Sequence, residues 1–281
     1  MAVGWHRMQQ VAVVTGGARG IGLALARACA GHGMAVVVCD VAEEPLAAAV
    51  GALEDDGAAV LGVAADVRDP VAMAGLRDAA FARFGRADLI SLNAGVALRR
   101  DVEDMSEADW DWIIDINLRG VIRGVSAFLP ALEEQGSGHI QATASFHGHV
   151  GDPEFSGYCV TKWGIVALME TLCRELRLKG SGVSVSVLCP GSTVTDLMHN
   201  ALDRFADDGG DPDQGDVQRS EVIHGDLQRG RTADAVAEVA LAGIRDGRFF
   251  IFSHPEQVEM LRDRFDALAR NGSLHPLPWS S

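Results

Sequence analysis

The sequence predicts an α/β fold built on a doubly wound parallel sheet of about seven strands. Three observations carry that expectation. Short apolar runs of strand length recur along the chain with helical patterns between them, the mark of alternating strand and helix. The first run leads directly into a glycine-rich turn and an alanine-rich helix. Several runs end on a polar residue, and strand ends line the ligand crevice of such a sheet.

Taken in order, Val11 to Val14 is the first strand, and Thr15-Gly16-Gly17-Ala18-Arg19-Gly20-Ile21-Gly22 turns into a helix over Leu23 to Ala30. Glycines there let backbone N–H groups approach a pyrophosphate at the helix N-terminus, where the dipole favours anions. Ala35 to Cys39 is the second strand and ends at Asp40, an acid placed to meet ribose hydroxyls and to repel a 2′-phosphate. A helix of the Glu43 to Leu53 type precedes a third strand, Val60 to Ala64, which ends near Asp66. Leu89 to Leu92 is the fourth strand and runs into Asn93-Ala94-Gly95.

One long helix is expected from Glu107 to Glu133 with Ser106 as its N-cap. Asn117 lies within its apolar face, between Ile113, Ile114, Ile116 and Leu118, where an amide needs a hydrogen-bonding reason. A fifth strand near His139 to Thr143 leads to Ala144-Ser145-Phe146-His147, and Val183 to Leu188 is the sixth, ending in Cys189-Pro190-Gly191-Ser192-Thr193-Val194-Thr195. An amphipathic piece over Leu197 to Phe205 and an acidic, glycine-rich stretch from Asp207 to Asp216 form an insertion at 192–230, expected to act as a substrate lid. A helix over Ala233 to Ile244, a last strand at Phe249 to Phe252 and a helix reaching about Ala269 complete the chain. The expected division is a sheet domain at 8–253 and a helical tail at 254–281.

Between the fifth and sixth strands lies the densest chemical signal. Tyr158 is the only tyrosine in 281 residues, and Lys162, four positions on, is one of only two lysines; the other is Lys179. On a helix these positions share a face, and the apolar spacing of Ile165, Leu168, Met169, Leu172 and Leu176 supports a helix to about Leu178. A free phenol has a pKa of about 10, a poor base at neutral pH. An ammonium about 5 Å away would lower it by about two units. The pairing therefore points to proton transfer at Tyr158.

Composition narrows the partners. Acidic residues number 39 against 24 basic, a net charge of −15, which argues against nucleic acid and anionic membrane. No apolar stretch approaches about 18 residues and the first ten residues lack a signal-peptide core, so neither a membrane span nor secretion is expected. Five cysteines without a C-x-x-C pair fit buried reduced thiols in the cytoplasm. His147 and His149 lack a third convergent ligand, so no metal is expected.

Together these residues resemble the compact, single-domain branch of the short-chain dehydrogenase/reductase family, over about Val11 to Phe252. The resemblance implies a Rossmann-type sheet and assigns roles. Thr15, Gly16, Gly20 and Gly22, with Arg19 and Ile21 between them, match the cofactor loop; Asp40 and Val41 follow the second strand. Asp66, with Val67, matches the acid that contacts adenine, and Asn93, Ala94 and Gly95 match the wall of adenine and ribose. Asn117, Ser145, Tyr158 and Lys162 match the catalytic tetrad. Pro190 and Gly191, with Thr193 and Thr195, match the turn that holds nicotinamide and phosphate; Tyr158 and Lys162 also reach the cofactor.

The resemblance implies reversible hydride transfer between a nicotinamide cofactor and a secondary alcohol or ketone, carried out by a homotetramer; Asp40 favours NAD(H) over NADP as that cofactor. The run Asp109 to Ile114 and the His254-Pro255-Glu256 tail look like those of relatives acting on bulky hydrophobic alcohols. Leu92, Ala144, Phe146 and His147 depart from the common pattern. Two other readings are carried: an NADPH-dependent 3-ketoacyl carrier protein reductase, which predicts a basic docking patch that a charge of −15 opposes, and a non-enzymatic dinucleotide-binding protein, which predicts a broken tetrad.

Overall fold

The structure, a computed structural model, describes residues 10–197 and 227–272, with positions 217, 221, 224 and 225 between them. The first half alternates strand and helix: β1 (Val11–Thr15), α1 (Gly20–Gly31), β2 (Ala35–Asp40), α2 (Glu43–Asp55), β3 (Val60–Ala64), α3 (Pro70–Phe84) and β4 (Leu89–Leu92). Then come α4 (Glu107–Ile114), α5 (Gly120–Gln135), β5 (Gly138–Thr143), α6 (Ser156–Lys179) and β6 (Val183–Cys189). The chain returns as β7 (Thr193–Val194), β8 (Arg231–Thr232), α7 (Ala233–Arg245), β9 (Phe250–Phe252) and α8 (Glu256–Asn271). Apart from Leu197, the residues expected to form a lid helix (Met198, Leu202, Phe205) and the acidic stretch from Asp207 to Asp216 lie outside the described residues.

Seven parallel strands form one sheet in the order β3-β2-β1-β4-β5-β6-β9, and β7 and β8 make a small second pair. The central strands are buried on both faces, which is why they read as unbroken apolar runs. Alternation still operates within β1: Val11 and Val13 face the layer of Phe128, Ile165 and Leu172, while Ala12 and Val14 face Leu25, Val236 and Leu241. Strand order reverses between β1 and β4, so the loops leaving their carboxyl ends diverge and open a crevice.

The helix expected over Glu107 to Glu133 is not one regular helix. Its start is capped as expected, with Ser106 Oγ accepting from Asp109 N and Asp109 Oδ2 accepting from Ser106 N. Between α4 and α5, however, residues Asp115–Arg119 form a π turn. Asn117, within this turn, is fully buried and reaches Val96 in the loop after β4. Helix α3 was not read from the pattern; Asp69 caps it by accepting from Val71 N, Pro70 starts it and Gly85 closes it in a left-handed conformation.

The glycine turn after β1 depends on close backbone approach. A Cβ at Gly22 would lie 2.0 Å from Gly16 O and 2.6 Å from Asn93 Nδ2, whereas one at Gly31, the end of the same helix, would meet nothing within 4 Å. Gly22→Ala is expected to lower stability by about 3 kcal/mol in urea unfolding, as overpacking against backbone does. Gly31→Ala should raise it by about 0.5 kcal/mol by restricting the unfolded chain.

Candidate active site

The crevice at the carboxyl ends of the strands is a cleft of about 1310 Å3. Helix α6 delivers Tyr158 and Lys162 to it from one face, and the end of β5 delivers Ser145. Lys162 Nζ lies 5.3 Å from the centre of the Tyr158 ring and donates to Thr143 O at 2.9 Å. That carbonyl belongs to the last residue of β5, so the ammonium is pinned to the sheet. Behind it, Asn117 Oδ1 accepts from Val96 N at 2.8 Å, and its Nδ2 donates to Val96 O at 2.9 Å and to Thr161 Oγ1 at 3.1 Å. Asn117 therefore sews the π turn, α6 and the loop after β4 together and does not line the cleft.

The expected lowering of the Tyr158 pKa is not found; the shift runs the other way. Burial pushes Tyr158 up to about 12, with Ser145 hydrogen bonding pulling the other way, and burial brings Lys162 down to about 8. Lys162 is buried and Tyr158 half-buried. Desolvation penalises phenolate and ammonium alike and is the largest cause of both shifts.

On the other side of Ser145, His147 N donates to Ser145 Oγ at 3.2 Å and His147 Nδ1 lies 3.4 Å from the same oxygen. His147 Nε2 pairs with Asp152 Oδ2 at 3.0 Å, and the ring stacks on Phe155 and meets the Tyr158 ring edge-on. Glu154, beside it, holds a positive φ of 63° and pairs with Arg99. A strained non-glycine residue at the mouth of a cleft is held by its surroundings and commonly marks a ligand wall. His149 turns away toward Cys189 Sγ, so the two histidines do not converge. Among the described residues no group of three or more His, Cys, Asp or Glu side chains is arranged to hold a metal.

The residues present fit a dinucleotide. Gly16, Arg19, Gly20 and Ile21 line one end of the cleft, and Gly16 and Gly20 take φ of 61° and 52°, which opens the turn where side chains would otherwise stand. Asp40 Oδ2 accepts from Ala18 N and Oδ1 from Ala42 N, both at 3.1 Å, which fixes a carboxylate at the end of β2 next to Val41. Asp66 and Val67 line the floor, with Asp66 held by Arg68 N at 2.8 Å. Asn93, Ala94 and Gly95 form the opposite wall, and Pro190, Gly191, Thr193 and Thr195 the far end. Thr193 Oγ1 donates to Gly191 O at 2.9 Å, which braces that turn.

Two residues matched to the cofactor loop work from behind the wall. Thr15 Oγ1 accepts from Asn93 N at 3.0 Å and Ala94 N at 3.2 Å, tying β1 to the loop after β4, and Gly22 supplies the close contact described above. Neither lines the cleft. Conversely, Arg99, Asp152, Glu154, His254 and Gln257 line it and were not identified as site residues from the sequence. For His254 a signal existed: a histidine directly after the last strand of a parallel sheet sits at the crevice by position.

Comparison with known proteins shows the family of the chain. Residues 10–204 match the family described as short chain dehydrogenase. The chain superposes with a TM-score of 0.90 on a short-chain dehydrogenase/reductase from Burkholderia phymatum in complex with NAD, at 33% identity over 96% of this chain and 98% of that one. It is 34% identical over 264 residues to a C alpha-dehydrogenase of Sphingobium sp., covering 92% of this chain and 85% of the relative. It is 32% identical over 274 residues to a 1-deoxy-11-beta-hydroxypentalenate dehydrogenase of Streptomyces exfoliatus, covering 96% and 92%. No helix among the described residues is long and apolar enough to cross a membrane. With its sheet order, its glycine turn and its Tyr158-Lys162 pair in place, the chain belongs to the short-chain dehydrogenase/reductase family and is an NAD(P)-dependent dehydrogenase acting on CH–OH groups.

Proposed function

We propose that the protein catalyses reversible hydride transfer between NAD(H) and a bulky, hydrophobic secondary alcohol or its ketone. The observation that carries this reading is the convergence of Tyr158, Ser145 and Lys162 on one cleft beside Gly191 and Thr193. Bound nicotinamide would accept or return the hydride. Tyr158 Oη takes the proton from the substrate hydroxyl in oxidation and returns it in reduction. Ser145 Oγ hydrogen-bonds the substrate oxygen, and Lys162, held by Thr143 O, favours the phenolate once the cleft is filled. Asn117 keeps this group in place from behind. Val96, Trp112, Phe155 and Met260 give the substrate side an apolar lining, which supports a hydrophobic substrate.

Tyr158→Phe is expected to lower kcat by about a thousandfold while leaving NADH affinity nearly unchanged, since the ring stays and only the proton is lost. Stopped-flow turnover and NADH fluorescence titration measure the two; wild-type turnover would eliminate the mechanism.

NAD should be preferred over NADP by about a hundredfold or more in kcat/KM, because the fixed Asp40 carboxylate would face the 2′-phosphate at close range. Equal efficiency with both cofactors would sink this. We also propose a homotetramer: Ile122 on α5 and Val160 and Trp163 on α6 are large apolar side chains left 41%, 50% and 43% exposed on the long helices flanking the site. Light scattering at micromolar protein checks it, and a stable monomer would refute it.

The buried Lys162 makes a separate prediction about stability. Its folded pKa of about 8 lies below the ordinary lysine value of 10.5, so between these values the unfolded chain binds more protons and stability rises with pH. Below the folded value the buried ammonium works against folding in full, by about 3 kcal/mol. Lys162→Met should raise the apo melting midpoint at neutral pH by roughly 3 °C, after allowing for the lost Thr143 partner, and flatten the alkaline rise. It should also abolish turnover. An unchanged or lower midpoint in calorimetry would contradict the assignment.

A further inference from the structure

The segment joining β9 to α8 reaches back over the turn that follows β6. One imidazole satisfies both backbone groups of that turn. Gly191 N donates to His254 Nδ1 at 3.1 Å, so Nδ1 must carry the lone pair, and Nε2 therefore carries the proton that it donates to Ser192 O at 3.0 Å. Ser253 Oγ, itself buried, lies 2.8 Å from Nδ1.

The turn is connected in turn to its neighbours. Pro190 O accepts from Phe146 N at 2.9 Å, next to Ser145, and Ser192 O also accepts from Arg231 N at 3.0 Å, where the chain returns as β8. Space is tight as well: a Cβ at Gly191 would lie 2.9 Å from His254 Cγ and 2.4 Å from Gln257 Nε2. Gln257, on the first turn of α8, is 94% buried by its 6% exposure and lines the cleft, yet its Oε1 has no hydrogen-bond partner among the described residues. A buried amide oxygen left unpaired beside a ligand cleft is a vacant acceptor.

We propose that the start of α8 is a working part of the nicotinamide site: His254 is a positioning residue for the Pro190–Thr193 turn, and Gln257 Oε1 accepts a hydrogen bond from the carboxamide N–H2 of the bound nicotinamide. The proposal rests on the NAD(H) reading above. It requires neutral His254, because a protonated Nδ1 would face the Gly191 N–H with a second donor, while Ser253 Oγ and Ser192 O could still be served. Glu256 and Arg231 are the charged groups that face this ring, the first favouring its protonation and the second opposing it. Burial also opposes protonation, which is consistent with the neutral tautomer that the geometry demands.

The test is NADH binding to the full-length apoprotein by fluorescence, with apo melting measured alongside. His254→Phe keeps the ring volume and removes both nitrogens; Gln257→Leu keeps the bulk and removes the amide. Each should weaken NADH about tenfold, the loss of one or two buried hydrogen bonds, with the apo midpoint moved by only a few degrees. Wild-type affinity should fall as the pH is lowered, and His254→Phe should flatten that dependence. An NADH Kd within twofold of wild type in both variants, or a loss of affinity accompanied by an equal loss of apo stability, overturns the proposal. If His254→Phe does not fold, Gln257→Leu and the wild-type pH dependence decide it. Absence of NADH binding by the wild type would overturn the NAD(H) reading and this proposal together; binding without the variant effects overturns only this one.

Discussion

The ammonium of Lys162, buried and held by the carbonyl of Thr143, is the interaction on which the rest of the site depends. A charge removed from water needs fixed dipoles around it, and here the last residue of β5 supplies one. The strand thus sets the height of the lysine, the lysine sets the face of α6, and Tyr158 follows four residues earlier on that face. Chain elements far apart in sequence are aligned because one cation has so few places to be satisfied.

Burial by the protein alone does not favour the ionised pair. Desolvation inclines phenol and ammonium each toward neutrality. A bound cationic nicotinamide would change that balance through its own field, so the ionisation that chemistry requires is coupled to cofactor occupancy. Such coupling would confine the phenolate to the filled cleft. It also places the π turn in context: a defect in helix geometry is tolerated at Asn117 because the amide satisfies Val96 and Thr161 at the back of the same lysine.

Much of this was legible in the sequence, and the boundary is physical. Tyr158 and Lys162 could be read because four residues on a helix is a local spacing, and Asp40 and Asn93 because strand ends in a parallel sheet have a known place. What could not be read depends on packing between distant elements. The π turn hides within an ordinary apolar pattern from Ile113 to Leu118. The sign of the Tyr158 shift depends on how deeply both partners are buried, which spacing does not report. Thr15 and Gly22 belong to the right motif, but only the folded chain reveals that they brace the cleft wall from behind. His254 acts on Gly191 across 63 residues, beyond the reach of any local pattern.

The economy of lysine has a practical consequence for handling the protein. Only two side-chain amines exist, and the one in the site is buried, 3% exposed, while Lys179 is exposed at the opposite end of α6. Seventeen residues of helix separate them by about 25 Å. Among side chains, acylating reagents and amine-reactive dyes will therefore meet one accessible amine, at the far end of α6 from the chemistry.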